Sequence, residues 1–321
     1  MSITIIPYTP LQEMAWDDFC SGSVNSTFLH TRRFLSYHGD RFADVSVLIM
    51  ESDKVVGVFP AAISPSDETL VVSHPGITYG GIVHRGRLNG IRMIEALLTL
   101  SDYYRKCGYH RLQYKVVPYI YTTIPSQDDL YALFRLGAKR TRCDLACTID
   151  LANRQPLSER RRRALKKASK TVIFSSDQSL LVELWRVVEQ NLVRKHDAIA
   201  AHSLEELSQL KDRFPDHISI RCALLDGKVE AGVILFNSPL AWHAQYIASS
   251  ERGYDVSALD AVFDAAISQA TQAGVRYFDF GTSNEQAGLV LNDGLYRFKS
   301  EFGGCGVAHE FYELDLINKQ T

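Results

Sequence analysis

Phe278-Asp279-Phe280-Gly281-Thr282-Ser283-Asn284-Glu285 and, after a short gap, Asn292-Asp293-Gly294-Leu295-Tyr296-Arg297-Phe298-Lys299-Ser300-Glu301-Phe302-Gly303-Gly304 decide how this 321-residue chain is read. Val275 to Phe280 reads as a buried strand, because aromatic and β-branched residues run together between two turn glycines, Gly274 and Gly281. Ser283, Asn284 and Glu285 then lie just beyond a strand's carboxyl end, where open α/β sheets usually meet their ligands. Tyr296, Lys299 and Glu301 are polar groups among Leu295, Phe298 and Phe302, which puts a cationic amine on an otherwise apolar segment. Lysine is seldom fully buried without a partner.

Outward from that stretch, the second half shows an order that the first half repeats. Ile218 to Leu225, a turn at Asp226-Gly227-Lys228 and Val229 to Phe236 form a hairpin; Ala241 to Ala248 is a third strand. Val256, Leu259, Val262, Phe263, Ala266, Ile267 and Ala270 recur at helical spacing before Gly274 and the closing strand. In the first half Val45 to Glu51 and Val55 to Ile63 form the hairpin, Gly76 to Val83 the third strand, Leu88 to Leu98 the helix, and Arg111 to Val117 the closing strand. The chain is therefore expected to be a duplication of mixed-sheet α/β (α+β) domains. The boundary is expected near Asn153 to Pro156, giving domains 1–152 and 153–321. A basic, helix-favouring run follows it, Leu157 to Ala168, with Arg160 to Arg163 at its centre. Ser203-Leu204-Glu205-Glu206 fits a capping box and starts another helix.

The run Phe278 to Gly281, then Gly294-Leu295-Tyr296-Arg297-Phe298-Lys299 and the closing Phe302-Gly303-Gly304, resembles the C-terminal signature of the Fem-like peptidyltransferases and their polysaccharide-locus relatives. The resemblance extends over nearly the whole chain. It implies two tandem GNAT-type acyltransferase folds, whose core is a strand-helix-strand unit after an antiparallel hairpin. It further implies an enzyme that acylates or aminoacylates an amine of a cell-envelope precursor, such as a nucleotide- or lipid-linked sugar or peptide. Where Fem members often carry more glycine after the strand, this chain has Ser283-Asn284-Glu285, a departure that bears on the substrate.

Composition narrows the remaining classes. A hydrophobic content of 46% is that of a globular protein, and a formal charge of −2 gives no whole-molecule attraction for DNA, RNA or an anionic membrane. Met1 to Pro10 lacks a basic region followed by an apolar core, and no apolar run approaches the roughly 18 residues that span a bilayer. A cytoplasmic protein without a transmembrane segment is expected. Six scattered cysteines read as reduced, buried thiols, and Cys143 and Cys147, four apart with no histidine pair nearby, do not have zinc-site spacing. No metal and no permanently bound cofactor are expected.

Acyl transfer to an amine needs a neutral attacking nitrogen, a polarised donor carbonyl and groups that stabilise the oxyanion. Lys299 is the candidate to steady that oxyanion, against a surface salt bridge with Glu301 or Asp279; the family motif favours the first. Asp279 is the candidate to take the acceptor's proton, against a turn-capping carboxylate. His243 and Tyr246 on the third strand, with His74 and Tyr79 in the first half, could line a cleft where strands splay, against satisfied core residues. Ser283, Asn284, Glu285 and Tyr296 complete the candidate substrate-binding set. Arg32 and Arg33 are either a solvated turn packed on Phe34 or, as the resemblance implies, a grip on an acceptor's diphosphate. Arg161 and Arg162 are a solvated helix face, a phosphate site for a small or lipid-linked acceptor, or a contact to donor RNA.

The donor is either acyl-CoA or aminoacyl-tRNA. Coenzyme A sites of GNAT folds use Arg or Gln, two residues, Gly, one residue, then Gly or Ala at a helix start, where bare N–H groups grip the diphosphate. Arg252-Gly253-Tyr254-Asp255-Val256-Ser257 places a carboxylate where the first glycine belongs, and Arg87 to Arg92 keeps only Gly90. The Fem resemblance implies an aminoacyl group from a charged transfer RNA instead. The alternative class is a non-catalytic GNAT-like fold that binds RNA or a phosphorylated glycan.

Overall fold

Apolar runs separated by two-residue turns pair as the sequence leads one to expect. In a computed structural model, which describes residues 2–196 and 200–317, β1 (Ile3–Pro7) precedes α1 (Glu13–Ser21) and the short α2 (Arg32–Leu35), and pairs antiparallel with β2 (Val47–Glu51), which pairs with β3 (Lys54–Phe59). A second hairpin follows, β4 (Ala62–Ser64) and β5 (Asp67–Val72), then β6 (Val83–His84), α3 (Ile91–Lys106), β7 (Arg111–Lys115) and α4 (Asp128–Arg135). The strand that feeds the helix and lies parallel to β7 is thus β5 rather than the expected Gly76 to Val83, of which only Val83 pairs, with β3. Close-packed glycines explain the difference. A Cβ on Gly80 would stand 2.3 Å from the Ser73 carbonyl oxygen and one on Gly76 2.2 Å from His38 Nε2, so this run is a tightly packed loop.

The described residues gather in two compact units, the first comprising those up to Asp144, Gln286–Val290 and those from Ala308 onward, the second those from Leu145 to Glu285 and Leu291–Val307. β8 (Lys139–Asp150) carries the chain from the first to the second. There it continues through α5 (Glu159–Ala168), β9 (Ile173–Ser175), α6 (Leu181–His196), α7 (Leu204–Arg213), β10 (Ile218–Leu225), β11 (Lys228–Asn237) and β12 (Ala241–Ser249). Asp226 and Gly227 both take positive φ, 51° and 76°, in the hairpin turn between β10 and β11. The expected capping box forms at Ser203 and Glu206. Next come α8 (Glu251–Asp255), α9 (Ala258–Gln272), β13 (Tyr277–Thr282), the small strands β14 (Asn284–Glu285) and β15 (Val290–Leu291), α10 (Asp293–Ser300) and β16 (Cys305–Asp315). The far end of β16, Phe311 to Asp315, pairs with β7 in the first unit.

Each unit has its own core. In the first, α3 buries Met93, Ile94, Ala96, Leu97, Leu100 and Tyr104 against Ile49, Val56, Phe59 and Leu112. In the second, Phe263 of α9 meets Phe278 and Phe280 of β13, ring centroids 6.1 and 4.8 Å away, and Phe302 at 5.6 Å. Full burial of each such ring is worth about 1.5–3 kcal/mol. Among the described residues no helix is long and apolar enough to cross a membrane.

Candidate active site

Strand periodicity builds the site. With Phe278 and Phe280 committed to α9, the residue between them, Asp279, points to the opposite face of the sheet. Register then decides its neighbours: His243 lies directly across on the parallel strand β12, and Thr148 directly across on the antiparallel β8. The three make one bonded rung. His243 Nδ1 lies 2.7 Å from Asp279 Oδ2, the Thr148 hydroxyl donates to Asp279 Oδ1 at 3.0 Å, and the Gly281 N–H donates to the same oxygen at 2.9 Å. Asp279 is fully buried, and with Thr148 and Gly281 both donating to Oδ1, its Oδ2 is placed to accept from His243 Nδ1–H, the arrangement that holds the ring proton on Nδ1. Nε2 is then the imidazole's basic nitrogen.

The strands part at this rung. Parallel pairing of β12 with β13 runs from Ala241–Tyr277 to His243–Asp279 and stops, and a bulge at Gln245 lets Ile234 face Tyr246 and Leu235 face Ala244. The bulge keeps His243 and Tyr246 on one face, opposite Phe236 and Ile234. Gly281 takes φ +72°, and a Cβ there would stand 3.0 Å from His243 Cε1, so glycine both permits the turn and leaves room for the ring.

Lys299 is 2% exposed, and its ammonium donates to the carbonyls of Gly281 at 3.0 Å and Thr282 at 2.7 Å. The alternative of a surface ion pair with Glu301 or Asp279 is therefore not what the structure contains. Burial pushes its amine down to about 8, while the charge of Asp279 pulls the other way. Asn292 ties the segment together. Its side chain caps α10 by accepting from Leu295 N at 3.0 Å and donates to Glu285 at 2.9 Å, and its N–H donates to the Ser283 carbonyl at 2.9 Å. Asn284 Oδ1 accepts from Leu145 N at 2.5 Å. Ser283 is buried, and its hydroxyl has no hydrogen-bond partner among the described residues. Tyr296, half-buried one turn before Lys299 on α10, has its phenol raised by burial.

The other sequence candidates are placed elsewhere. Tyr246 bonds His202 Nδ1 at 2.7 Å and packs edge-on to Trp185, and burial raises its phenol to about 12. Arg161 is buried at the inner face of α5, its guanidinium between Asp260 (2.5 Å) and Glu301 (3.0 Å) and over the rings of Phe298 and Phe302. Arg162 is exposed beside Glu159. In the first unit Arg32 is enclosed between Asp44, Ser46 and the faces of Tyr8 and Trp16, whereas Arg33 is exposed. Tyr79 donates to Thr27 at 3.3 Å and lies against Tyr121. Thr148 carries no sequence signal of its own, since nothing local marks the register that delivers it to Asp279.

Both candidate coenzyme-diphosphate stretches already spend backbone donors on acceptors of the protein itself. In the second unit Gly253 to Asp255 are wound into α8, the Val256 and Ser257 N–H groups donate to Arg252 and Tyr254 carbonyls, and the Arg252 guanidinium meets Asp226 at 2.8 Å and Glu230 at 3.4 Å. In the first, the Gly90 N–H donates to the Asp128 carboxylate at 2.7 Å.

Residues 152–300 match the family of the acetyltransferase (GNAT) domain. No curated protein matches the chain. Among solved structures it is similar to FemX (13% identity over 97% of each chain, TM-score 0.67) and to the C-terminal domain of a protein assigned as lysylphosphatidylglycerol synthetase from Agrobacterium fabrum (13% identity over 81% of each, TM-score 0.57). It is also similar to a tandem GNAT protein from the clavulanic acid biosynthesis pathway (12% identity over 99% of each, TM-score 0.54). At these identities the likeness is one of fold.

Proposed function

We propose that this chain, whose residues 152–300 match the acetyltransferase (GNAT) domain, is a FemAB-like acyltransferase that transfers an aminoacyl group to a primary amine of a cell-envelope precursor, with His243 as general base. The observation that carries the reading is the His243–Asp279–Thr148 rung at the parting of β12 and β13. An extended ligand entering there can bond to the unpaired edge of β12, as an added strand does. His243 Nε2 takes a proton from the acceptor nitrogen as that nitrogen attacks the donor carbonyl; the C–N bond forms, the C–O bond of the donor ester breaks, and the imidazolium returns the proton to the leaving oxygen. Asp279 stabilises the imidazolium without itself reaching the substrate. Lys299, one turn from Tyr296, provides positive charge beside the Gly281–Thr282 turn.

Two observations favour an aminoacyl ester over an acyl-CoA thioester as co-substrate. Backbone donors of both candidate diphosphate turns, Gly90 in the first and Val256 and Ser257 in the second, are already bonded to the protein. One structural neighbour, moreover, bears the name of an enzyme that makes a lysyl lipid. The same name, that of an enzyme making a phosphate-bearing lipid, supports a phosphate-bearing acceptor. Donor deacylation by water tests this without knowledge of the acceptor. Purified protein is given a charged tRNA pool or acetyl-CoA, and release of amino acid or acetate is followed for the wild type and His243→Gln. His243-dependent consumption of charged tRNA is expected. Consumption of acetyl-CoA alone would make a thioester the donor, and consumption of neither would favour a binding protein.

A further inference from the structure

Within the second unit, one face of α6 forms the wall of a polar cavity of about 360 Å³. Val187, Gln190, Asn191 and Arg194 recur at spacings of three, four and seven, which brings all four to that face. The facing wall is made by Glu230 early in β11, by Ser249, which ends β12 beside Ala231, and by Ser250, Glu251 and Arg252, where the chain turns into α8. Ser249 stands six residues past His243 on the same strand, so the cavity is about 20 Å from the His243 rung.

The charges that line it cancel. Arg194 lies 3.4 Å from Glu251, and Arg252 lies 3.4 Å from Glu230, whose buried carboxylate also accepts from the Ser250 hydroxyl. Arg194 further donates to the Ser249 carbonyl at 3.0 Å and to Asn191 Oδ1 at 3.3 Å. Hydrogen-bonding capacity is left over. Asn191 is 8% exposed, and with its oxygen given to Arg194 its Nδ2 has no acceptor among the described residues; the Gln190 side chain bonds to none of them either. A buried amide is costly unless something in the cavity accepts from it. An anion there would face Glu230 and Glu251, and a cation would face Arg194 and Arg252. A neutral polyol meets neither penalty. Each hydroxyl both donates and accepts, so neighbouring hydroxyls can give to Glu230 and accept from Asn191 and Gln190. The volume, at the lower end of ligand pockets, suits a mono- or disaccharide.

We propose that the cavity between α6 and the adjoining ends of β11 and β12 binds the hydroxyl groups of a neutral sugar. The site is remote from His243 and its test needs no turnover, so it stands or falls apart from the transfer reading. Saturation-transfer NMR of the full chain is run with D-glucose, D-galactose, D-mannose and N-acetyl-D-glucosamine, and ³¹P line widths follow inorganic phosphate. In the wild type at least one of the four sugars shows saturable transfer, and phosphate stays sharp. Asn191→Leu, which keeps the size of the side chain and removes its amide, weakens that sugar about tenfold or more, the worth of a hydrogen bond or two. Gln190→Ala, at an exposed helix position that the fold does not depend on, weakens it in the same sense and decides the matter should Asn191→Leu fail to fold. Transfer to none of the sugars, equal sugar binding in the wild type and Gln190→Ala, or binding of phosphate in place of a sugar would each overturn the proposal.

Discussion

Asp279→Asn isolates the part of the site that the fold arranges most tightly. The amide is the same size as the carboxylate, and its Oδ1 can still accept from Thr148 and from Gly281 N, at present 3.0 and 2.9 Å away. Its Nδ2, however, must donate to His243 Nδ1, which inverts the imidazole: the proton moves to Nε2, and the nitrogen that should accept the substrate's proton becomes a donor. One buried bond changes from charge-assisted to neutral, so stability should fall by only about 1 kcal/mol. Loss of a positioned general base typically costs about 10²–10⁴ in rate, or roughly 3–5 kcal/mol of barrier. The fall should appear in kcat with KM little changed, since Asp279 is buried beneath the ring and contacts no ligand. Long-range ¹H–¹⁵N spectra of the imidazole should report a proton on Nδ1 in the wild type and on Nε2 in the variant. Turnover within threefold of the wild type in a protein whose tautomer has inverted would refute the role given to His243.

Three further outcomes follow from the geometry. Gly281→Ala should lose about 1–2 kcal/mol of stability from the positive φ and, because the new methyl meets His243 Cε1, lose turnover as well; a rate unchanged per folded molecule would show that the ring can move aside. Arg161→Met should destabilise by about 3–5 kcal/mol in denaturant melts, as it leaves Asp260 and Glu301 facing each other without their cation, whereas Arg162→Ala should stay within about 0.5 kcal/mol; equal effects would return the two to one solvated face. Lys299 has a folded pKa, about 8, below its unfolded value, so between about 8 and 10.5 the unfolded chain binds the extra proton and stability rises with pH. Lys299→Met should abolish transfer and flatten that slope in urea melts, and an unchanged slope would mean that the amine is not held in this way.

The duplicated order of hairpin, strand, helix and strand was legible because it rests on short-range signals: the Asp226-Gly227 turn, the helical spacing from Leu259 to Ala270, and the stop at Gly274. The rung at the site was not, because it depends on which residues of three strands stand abreast. His243 and Asp279 are 36 positions apart and Asp279 and Thr148 131, and no local pattern fixes such a register. Each of His243 and Asp279 could be named as a candidate; that Asp279 acts through His243 could not. Gly76 to Val83 misled for a related reason. Its apolar and aromatic residues fit a strand, but the glycines among them serve close contacts with Ser73, His38 and Tyr114 that only the folded unit reveals.

The arginine run shows where a sequence signal was present and outweighed. Four consecutive arginines invite a single reading for the whole face, yet Arg161 shares its side of α5 with Ala164, Leu165 and Ala168, at spacings of three, four and seven. That periodicity by itself marks Arg161 as the inward residue, and an inward arginine requires anions. They are Asp260, in the first turn of α9, and Glu301, at the end of α10. Arg161 thereby joins the helix that packs against Phe278 and Phe280 to the helix that carries Lys299, and any phosphate grip is left to the exposed members of the run. Among these Arg162 already leans on Glu159 and Arg160 lies 3.9 Å from Glu301 at its nearest. An acceptor phosphate held here would therefore compete with both carboxylates, which sets a low ceiling on what this helix can add to binding.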